Sequence, residues 1–290
     1  MFFEKSHTLF RPPAEAESLI LRVADGCPWN SCTFCGMYKG VRYQFHGLDA
    51  AEKEFTRAAQ GRQDARRIFL ADGDVMGLDF TALETMLILL NEKFPALTRV
   101  GIYANGSSIL KKTDAELRRL QELKLHTLYM GLESGDDEIL FAVNKRENSG
   151  AMIAAAQRAQ NAGLRMSVMI LIGLAGELHS MQHAFLTAQA LNKMQPKLLS
   201  ALRLVTTPNT PLYKSGFKMI PEYAAVAELR ELIQHLELEQ TVFRADHSSN
   251  IIPLAGRFPK DKERLLTQLD CMLASGRLDK KSPGTLPWSL

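Results

Sequence analysis

Ser18-Leu-Ile-Leu-Arg-Val-Ala24 leads through Asp25-Gly26 into Cys27-Pro-Trp-Asn-Ser-Cys32-Thr-Phe-Cys35. The first run is apolar and rich in branched side chains, and it reads as a β-strand. The second places three of the chain's four cysteines within nine residues, in a loop at that strand's end. Three thiolates with no fourth cysteine nearby suit an iron-sulfur cluster that keeps one iron open for a ligand. A zinc reading requires four protein ligands, and His46 is the candidate for the fourth. The Cys-x4-Cys spacing and the strand-end position argue against a zinc knuckle.

Outward from this loop, short apolar runs alternate with longer segments of helical period. The expected strands are 19–24, 67–71, 99–104, 127–132, 165–172 and 198–205, and the expected helices between them are 49–60, 81–94, 113–123, 149–162 and 177–194. Thr113-Asp-Ala-Glu116 has the pattern of a capping box, and Gly163 stands where a helix would end before the next strand. Such alternation marks an α/β protein with parallel strands and right-handed crossovers, wound either as an open sheet or as a barrel. The Gly, Asp, Glu and Cys clusters nearly all follow strand ends, which in a barrel share one rim. The expected fold is a partial (β/α)6 TIM-like barrel with a small, mostly helical carboxy-terminal cap. Its expected divisions are an arm over 1–17, the barrel over 18–215, the cap over 216–275 and a tail over 276–290. In the cap, one long helix is expected over 221–240, then the segment 241–257 and a helix over 259–273.

The chain has 290 residues, 46% of them hydrophobic, and a formal net charge of +3. That composition is globular, and the charge is too small and too scattered to suggest a nucleic-acid partner. No apolar run approaches the length of a membrane span, and the amino end lacks a secretory signal, so a cytoplasmic location with no membrane partner is expected. Clustered cysteines in such a chain point to metal or redox chemistry rather than to disulfides. Cys271, in an apolar helical pattern, reads as a packing residue.

Phe34 precedes the third cysteine and Gly36 follows it, and at this point the chain resembles the radical S-adenosylmethionine (radical SAM) superfamily. There, three cysteines hold a [4Fe-4S] cluster, and the resemblance assigns that role to Cys27, Cys32 and Cys35. It recurs in order along the chain. Leu70-Ala-Asp-Gly-Asp74 occupies the place of the Gly-Gly-Glu motif that receives the methionine ammonium, which marks Asp72, Gly73 and Asp74. Tyr103-Ala-Asn-Gly106 is similar to a Thr-Asn-Gly motif and marks Asn105. Tyr129-Met-Gly-Leu-Glu-Ser-Gly135 looks like the strand-four motif of the branch with oxygen-independent coproporphyrinogen oxidase, methylthiotransferases and Elongator-type enzymes. In that branch, the residue at the place of Glu133 contacts the nucleoside. Val143-Asn-Lys-Arg-Glu147 offers Lys145 and Arg146 as competing partners for the methionine carboxylate. Leu171-Ile-Gly-Leu-Ala-Gly-Glu177, with Gly173, resembles the segment that packs against adenine, and Thr207-Pro-Asn-Thr-Pro-Leu-Tyr213 resembles Pro-Gly-Thr-Pro-Leu.

Two departures stand out. The family spacing is Cys-x3-Cys-x2-Cys, so this loop must bulge by one residue. Met169 stands where oxidase-like relatives carry an aspartate for ribose, and Ser167, on the same strand face, is the expected substitute.

The resemblance implies a [4Fe-4S] cluster and S-adenosylmethionine as cofactors, reductive cleavage to a 5'-deoxyadenosyl radical, and hydrogen abstraction from a small-molecule substrate. It also implies an electron donor such as flavodoxin or ferredoxin. Tyr38, Arg42, Arg203, His247 and Asn250 are the substrate candidates. A non-catalytic heme- or cofactor-handling chaperone on the same scaffold is the alternative, with His46, His126, His179, His183 and His247 as candidate heme ligands.

Overall fold

The computed structural model describes residues 8–286. Its strands are β1 (Leu19–Arg22), β2 (Ala24–Asp25), β3 (Gln44–Phe45), β4 (Arg67–Ala71), β5 (Arg99–Tyr103), β6 (Leu125–Glu133), β7 (Arg165–Ile172), β8 (Leu198–Arg203), β9 (Val242–Ala245) and β10 (Leu254–Arg257). Its helices are α1 (Leu48–Arg62), α2 (Phe80–Lys93), α3 (Gly106–Leu110), α4 (Asp114–Glu122), α5 (Asp137–Ala142), α6 (Ser149–Asn161), α7 (Ser180–Met194), α8 (Pro211–Lys214), α9 (Glu222–His235) and α10 (Lys262–Ala274). Eight strands form the main sheet in the open order β1-β4-β5-β6-β7-β8-β9-β10, and β2 pairs separately with β3. Strands β1, β4, β5 and β6 pair in parallel, as do β7, β8 and β9, and β10 runs antiparallel to β9. The fold is α/β, as the alternating periodicity requires.

The chain packs as two compact units. The first comprises residues up to Asn30, Cys35–Met130 and Ala154–Met166. Its strand β4 carries Ile68, Phe69 and Leu70, all buried. A continuous apolar run of this kind belongs in a parallel strand covered on both faces. Helix α2 starts where the Asp79 carboxylate accepts the Ala82 amide at 2.8 Å. Helix α4 starts at the expected capping box, with Thr113 Oγ1 accepting from the Glu116 amide at 3.2 Å and Glu116 accepting from the Thr113 amide at 2.6 Å. Gly163 takes φ +86° after α6, and the Leu164 amide returns to the Ala159 carbonyl.

The second unit comprises Ser31–Phe34, Gly131–Ile153 and the chain from Ser167 onward. Here α7 packs on α9 and α9 on α10. Helix α9 is shorter than its periodicity suggests, because the chain becomes extended at Leu236. Buried Leu236 and Leu238 then alternate with exposed Glu237 and Glu239, and side chains of Asn192 and Gln195 bind the backbone there. The segment after it supplies β9 and β10, two strands beyond the six expected. Cys271 is exposed, contrary to the packing role expected for it, because the buried stripe of α10 is Leu265, Leu266 and Leu269. Residues 279–282 bond to the first turn of α9 through the Glu222 and Tyr223 amides.

Candidate functional site

In the first unit, β1 and β4 bring the start of the cysteine loop against the loop after β4. The Val23 amide donates to the Ala71 carbonyl at 2.7 Å, and the Gly73 amide donates to the Gly26 carbonyl at 3.1 Å. A Cβ on Gly73 would lie 2.7 Å from that carbonyl oxygen, 2.9 Å from Cys27 Cβ and 2.9 Å from the Tyr38 ring. Only glycine lets the two backbones meet so closely. The extra residue between Cys27 and Cys32 is absorbed near Asn30, which adopts φ +43°. Its side chain donates to the carbonyls of Tyr38 (2.6 Å) and Val41 (3.3 Å), so the bulge is tied down.

Asp72 is fully buried, 3.0 Å from the Tyr38 hydroxyl that donates to it and 3.7 Å from Arg22 Nε. Asp74 is held by three donors: the Asn105 amide at 3.1 Å, Asn105 Nδ2 at 2.9 Å and Ser108 Oγ at 2.7 Å. Buried Lys112 fixes the following turn by donating to the carbonyls of Met76 (3.1 Å) and Leu78 (2.8 Å), and burial pulls its pKa down. The phenols of Tyr38 and Tyr103 are pushed far up, first by burial and then by the Asp72 charge. Cys27 contributes to the shift at Tyr38, and Cys35 to the shift at Tyr103. These hydroxyls are therefore neutral donors at any physiological pH. Cys27 and Cys35 form no disulfide and are half-buried, while Arg42 is exposed. His46 Nε2 lies 3.0 Å from Asp25 Oδ2, so a carboxylate already engages the histidine that a zinc site would need.

In the second unit, Ser31–Phe34 is threaded between two segments. The Thr33 amide donates to the Val143 carbonyl at 2.9 Å, the Leu212 amide donates to the Thr33 carbonyl at 2.9 Å, and Asn144 Nδ2 donates to the Ser31 carbonyl at 3.2 Å. Phe34 packs on a cluster of Val143, Leu174 and Leu204, together with Leu171 and Leu212. Lys145 Nζ lies 3.2 Å from Glu133 Oε1, with both side chains largely buried. Burial works to lower the Lys145 pKa, but Glu133, then Cys32 and Glu147, outweigh it and raise it. Of the two competing cations, Lys145 is thus the one beside Cys32, and Arg146 is exposed. Glu133 adopts φ +63°.

A Cβ on Gly131 would sit 2.0 Å from Glu133 Oε1 and 3.3 Å from Lys145 Nζ. The obstacle is the tip of a flexible side chain, so Gly131→Ala should displace the carboxylate without unfolding the protein. The expected stability loss is within about 1 kcal/mol. A thermal melt close to that of wild type checks this.

Ser167 lies on the face of β7 that carries Leu171, and it is 1% exposed. Gly173 follows β7 with φ +86°. Arg203 and Asn250 are not brought to that face. Register places Arg203 beside Ile172, on the alternate face, where both line a cavity of about 10 Å³ with Val226, Leu229 and Leu269. Arg203 Nη2 donates to the carbonyls of Ile220 (3.2 Å) and Pro283 (2.7 Å), and Asn250 Nδ2 donates to the Ala201 carbonyl (2.8 Å). Two of the substrate candidates therefore serve the packing of the helices on the sheet. His247 is half-buried, with its pKa lowered by burial, and its Nδ1 lies 2.9 Å from Ser249 Oγ. Of the other histidines, His126 meets Thr127 Oγ1, His179 is exposed, and His183 is buried against Glu228. Glu228 escaped sequence reading. Its place on the stripe of Ala225, Leu229 and Leu232 was the available signal.

Among the described residues, no three His, Cys, Asp or Glu side chains converge as a single-ion site. An iron-sulfur cube, whose cysteines each grip a different iron, makes no such demand. The residues present fit that group: three cysteines of one loop outside any disulfide, with a glycine cradle beside Cys27 in the first unit and a lysine charge beside Cys32 in the second.

Comparison with known proteins gives a consistent picture. A family model described as the Radical SAM superfamily matches residues 21–185. No curated protein sequence matches the chain. Among solved structures, the FeFe-hydrogenase maturase HydG from Carboxydothermus hydrogenoformans aligns over 87% of this chain and 56% of its own, at 19% identity and a TM-score of 0.50. Coproporphyrinogen III oxidase (HemN) from Escherichia coli aligns over 89% and 52%, at 16% identity and 0.55. Methylornithine synthase (PylB) aligns over 88% and 81%, at 14% identity and 0.55. The chain thus spans only about half the length of the first two, and at these identities the likeness is one of fold.

Proposed function

The chain belongs to the radical SAM superfamily, and from that premise we propose that it is an enzyme abstracting hydrogen from a small-molecule substrate. The observation that carries this reading is the fit of the cysteine loop: three thiols outside any disulfide, with Cys27 beside the Gly73 cradle in the first unit and Cys32 beside Lys145 in the second. Cys27, Cys32 and Cys35 would hold a [4Fe-4S] cluster. When bound, the cluster and S-adenosylmethionine supply one-electron cleavage of a carbon-sulfur bond, giving the 5'-deoxyadenosyl radical that abstracts the hydrogen.

The chain's own groups bind and orient. The Asp72-Gly73-Asp74 loop offers backbone and carboxylate to a methionine ammonium, with Asp74 kept in one orientation by Asn105 and Ser108. Lys145 offers a cation to a methionine carboxylate, and Glu133 accepts from ribose hydroxyls, which are better partners for a buried carboxylate than none. Gly173 and its neighbours form the seat for adenine. Neutral Tyr38, buried, and neutral Tyr103, half-buried, line the cysteine loop and keep water from it. An electron carrier such as flavodoxin or ferredoxin would supply the electron.

No helix among the described residues is long and apolar enough to cross a membrane. We place the protein in the cytoplasm.

The test is anaerobic reconstitution with ferrous iron and sulfide, followed by reduction in the presence of S-adenosylmethionine. Brown protein with bound iron and sulfide and formation of 5'-deoxyadenosine are expected, and Cys32→Ala should abolish both. Colourless wild-type protein that forms no 5'-deoxyadenosine overturns the reading.

A further inference from the structure

Glu228 lies in the middle of α9, and its carboxylate is completely buried. No Lys or Arg pairs with it among the described residues. Its acceptor sites are filled instead by three donors from one stretch of chain. The Gly173 amide donates to Oε1 at 2.7 Å, His183 Nδ1 lies 3.0 Å from the same oxygen, and the Ser180 hydroxyl donates to Oε2. His183 Nε2 is buried without a partner, so that ring's polar tie is to Glu228.

These donors bracket the whole connection between β7 and α7: Gly173 is its first residue, Ser180 the first of the helix, and His183 one turn further on. One carboxylate therefore fixes both ends of a connection with no regular structure of its own. The next residue in the chain, Leu174, belongs to the cluster on which Phe34 packs, and Phe34 lies between Cys32 and Cys35. A continuous path of contacts joins Glu228 to the cysteine loop through Gly173, Leu174 and Phe34.

We propose that Glu228 is a positioning residue: from α9 it holds the 173–179 connection in the shape that seats Phe34, and it thereby sets the affinity for S-adenosylmethionine without touching it. This rests on the cofactor reading above. Packed interiors transmit such displacements because their neighbours have nowhere to relax.

The test compares wild type with Glu228→Gln, which keeps the volume and one acceptor oxygen but removes the charge and presents an amide to donors. In cluster-free protein, hydrogen exchange of amides 173–180 should accelerate by about tenfold while β8 and α9 keep their protection. In reconstituted protein, KM for S-adenosylmethionine should rise by about tenfold, the lower end of the effect of removing a supporting partner, with kcat at saturation within about twofold. Unchanged exchange and KM overturn the proposal, as does a fall in kcat at constant KM. If Glu228→Gln does not fold, Ser180→Ala removes one donor to the same carboxylate and should show the same pattern, less strongly. Its behaving as wild type in both readouts overturns the proposal equally. Failure of the wild type to take up a cluster would sink the cofactor reading alone, since the exchange comparison requires none.

Discussion

Gly73→Ala gives a folded protein that does not hold its iron. The new methyl group would meet the Gly26 carbonyl oxygen at 2.7 Å and Cys27 Cβ and the Tyr38 ring at 2.9 Å. None of these is soft. Gly26 is fixed by its bond from the Gly73 amide and by φ +72°, and Tyr38 is 4% exposed with its hydroxyl committed to Asp72. What yields is the cysteine loop, at the residue before its first thiol. Overpacking of this kind costs about 1–3 kcal/mol. Bound iron and sulfide after reconstitution should fall by roughly tenfold or more, as when a metal site loses its support. Circular dichroism establishes folding and iron analysis the loss; wild-type iron content in the variant would show that the loop tolerates the displacement.

Gly135→Ala has its effect on stability instead. A Cβ there would lie 2.3 Å from the Leu186 carbonyl oxygen and 2.6 Å from Thr187 Cα, both in the backbone of α7. The Gly135 amide also donates to Thr187 Oγ1 at 2.9 Å, so retreat of the helix breaks that bond too. The expected loss is about 3 kcal/mol or more, beyond ordinary substitutions because a helix rather than a rotamer must move. For a chain of this size that lowers Tm by roughly 5 °C or more. A melting curve superimposable on that of wild type would contradict the close packing of the 135 turn on α7. A Cβ on Gly131, four residues earlier, meets only side-chain atoms of Glu133 and Lys145, so of the two glycines it is the one whose replacement leaves stability nearly intact.

Much of this architecture is legible in the residues. Six strands and five long helices follow from periodicity, because each strand is a short, mostly apolar run and each helix a stripe. The caps at Thr113 and Gly163 follow from local chemistry alone. The cysteine loop and the segments after β4, β5 and β6 are legible because their chemistry is unusual for a strand end. The strands β9 and β10 were not, since Val242-Phe-Arg-Ala245 and Leu254-Ala-Gly-Arg257 each interrupt their apolar residues with an arginine or a glycine. Arg203 was misread because an arginine at a strand end looks the same on either face, and only the register with Ile172 decides. Glu228 was missed for a related reason. Within Ala-Glu-Leu-Arg-Glu-Leu it looks like one solvated acid among several, and only the packing of α9 on α7 turns it inward.

The antiparallel pairing of β9 with β10 means that residues 246–253 begin and end at neighbouring points of the sheet. Lengthening such a span costs little, about 0.6 kcal/mol for each doubling, because its ends are already closed. This stretch, which carries His247, is therefore where foreign sequence can be grafted or selected for new preferences while the eight-stranded framework is inherited intact.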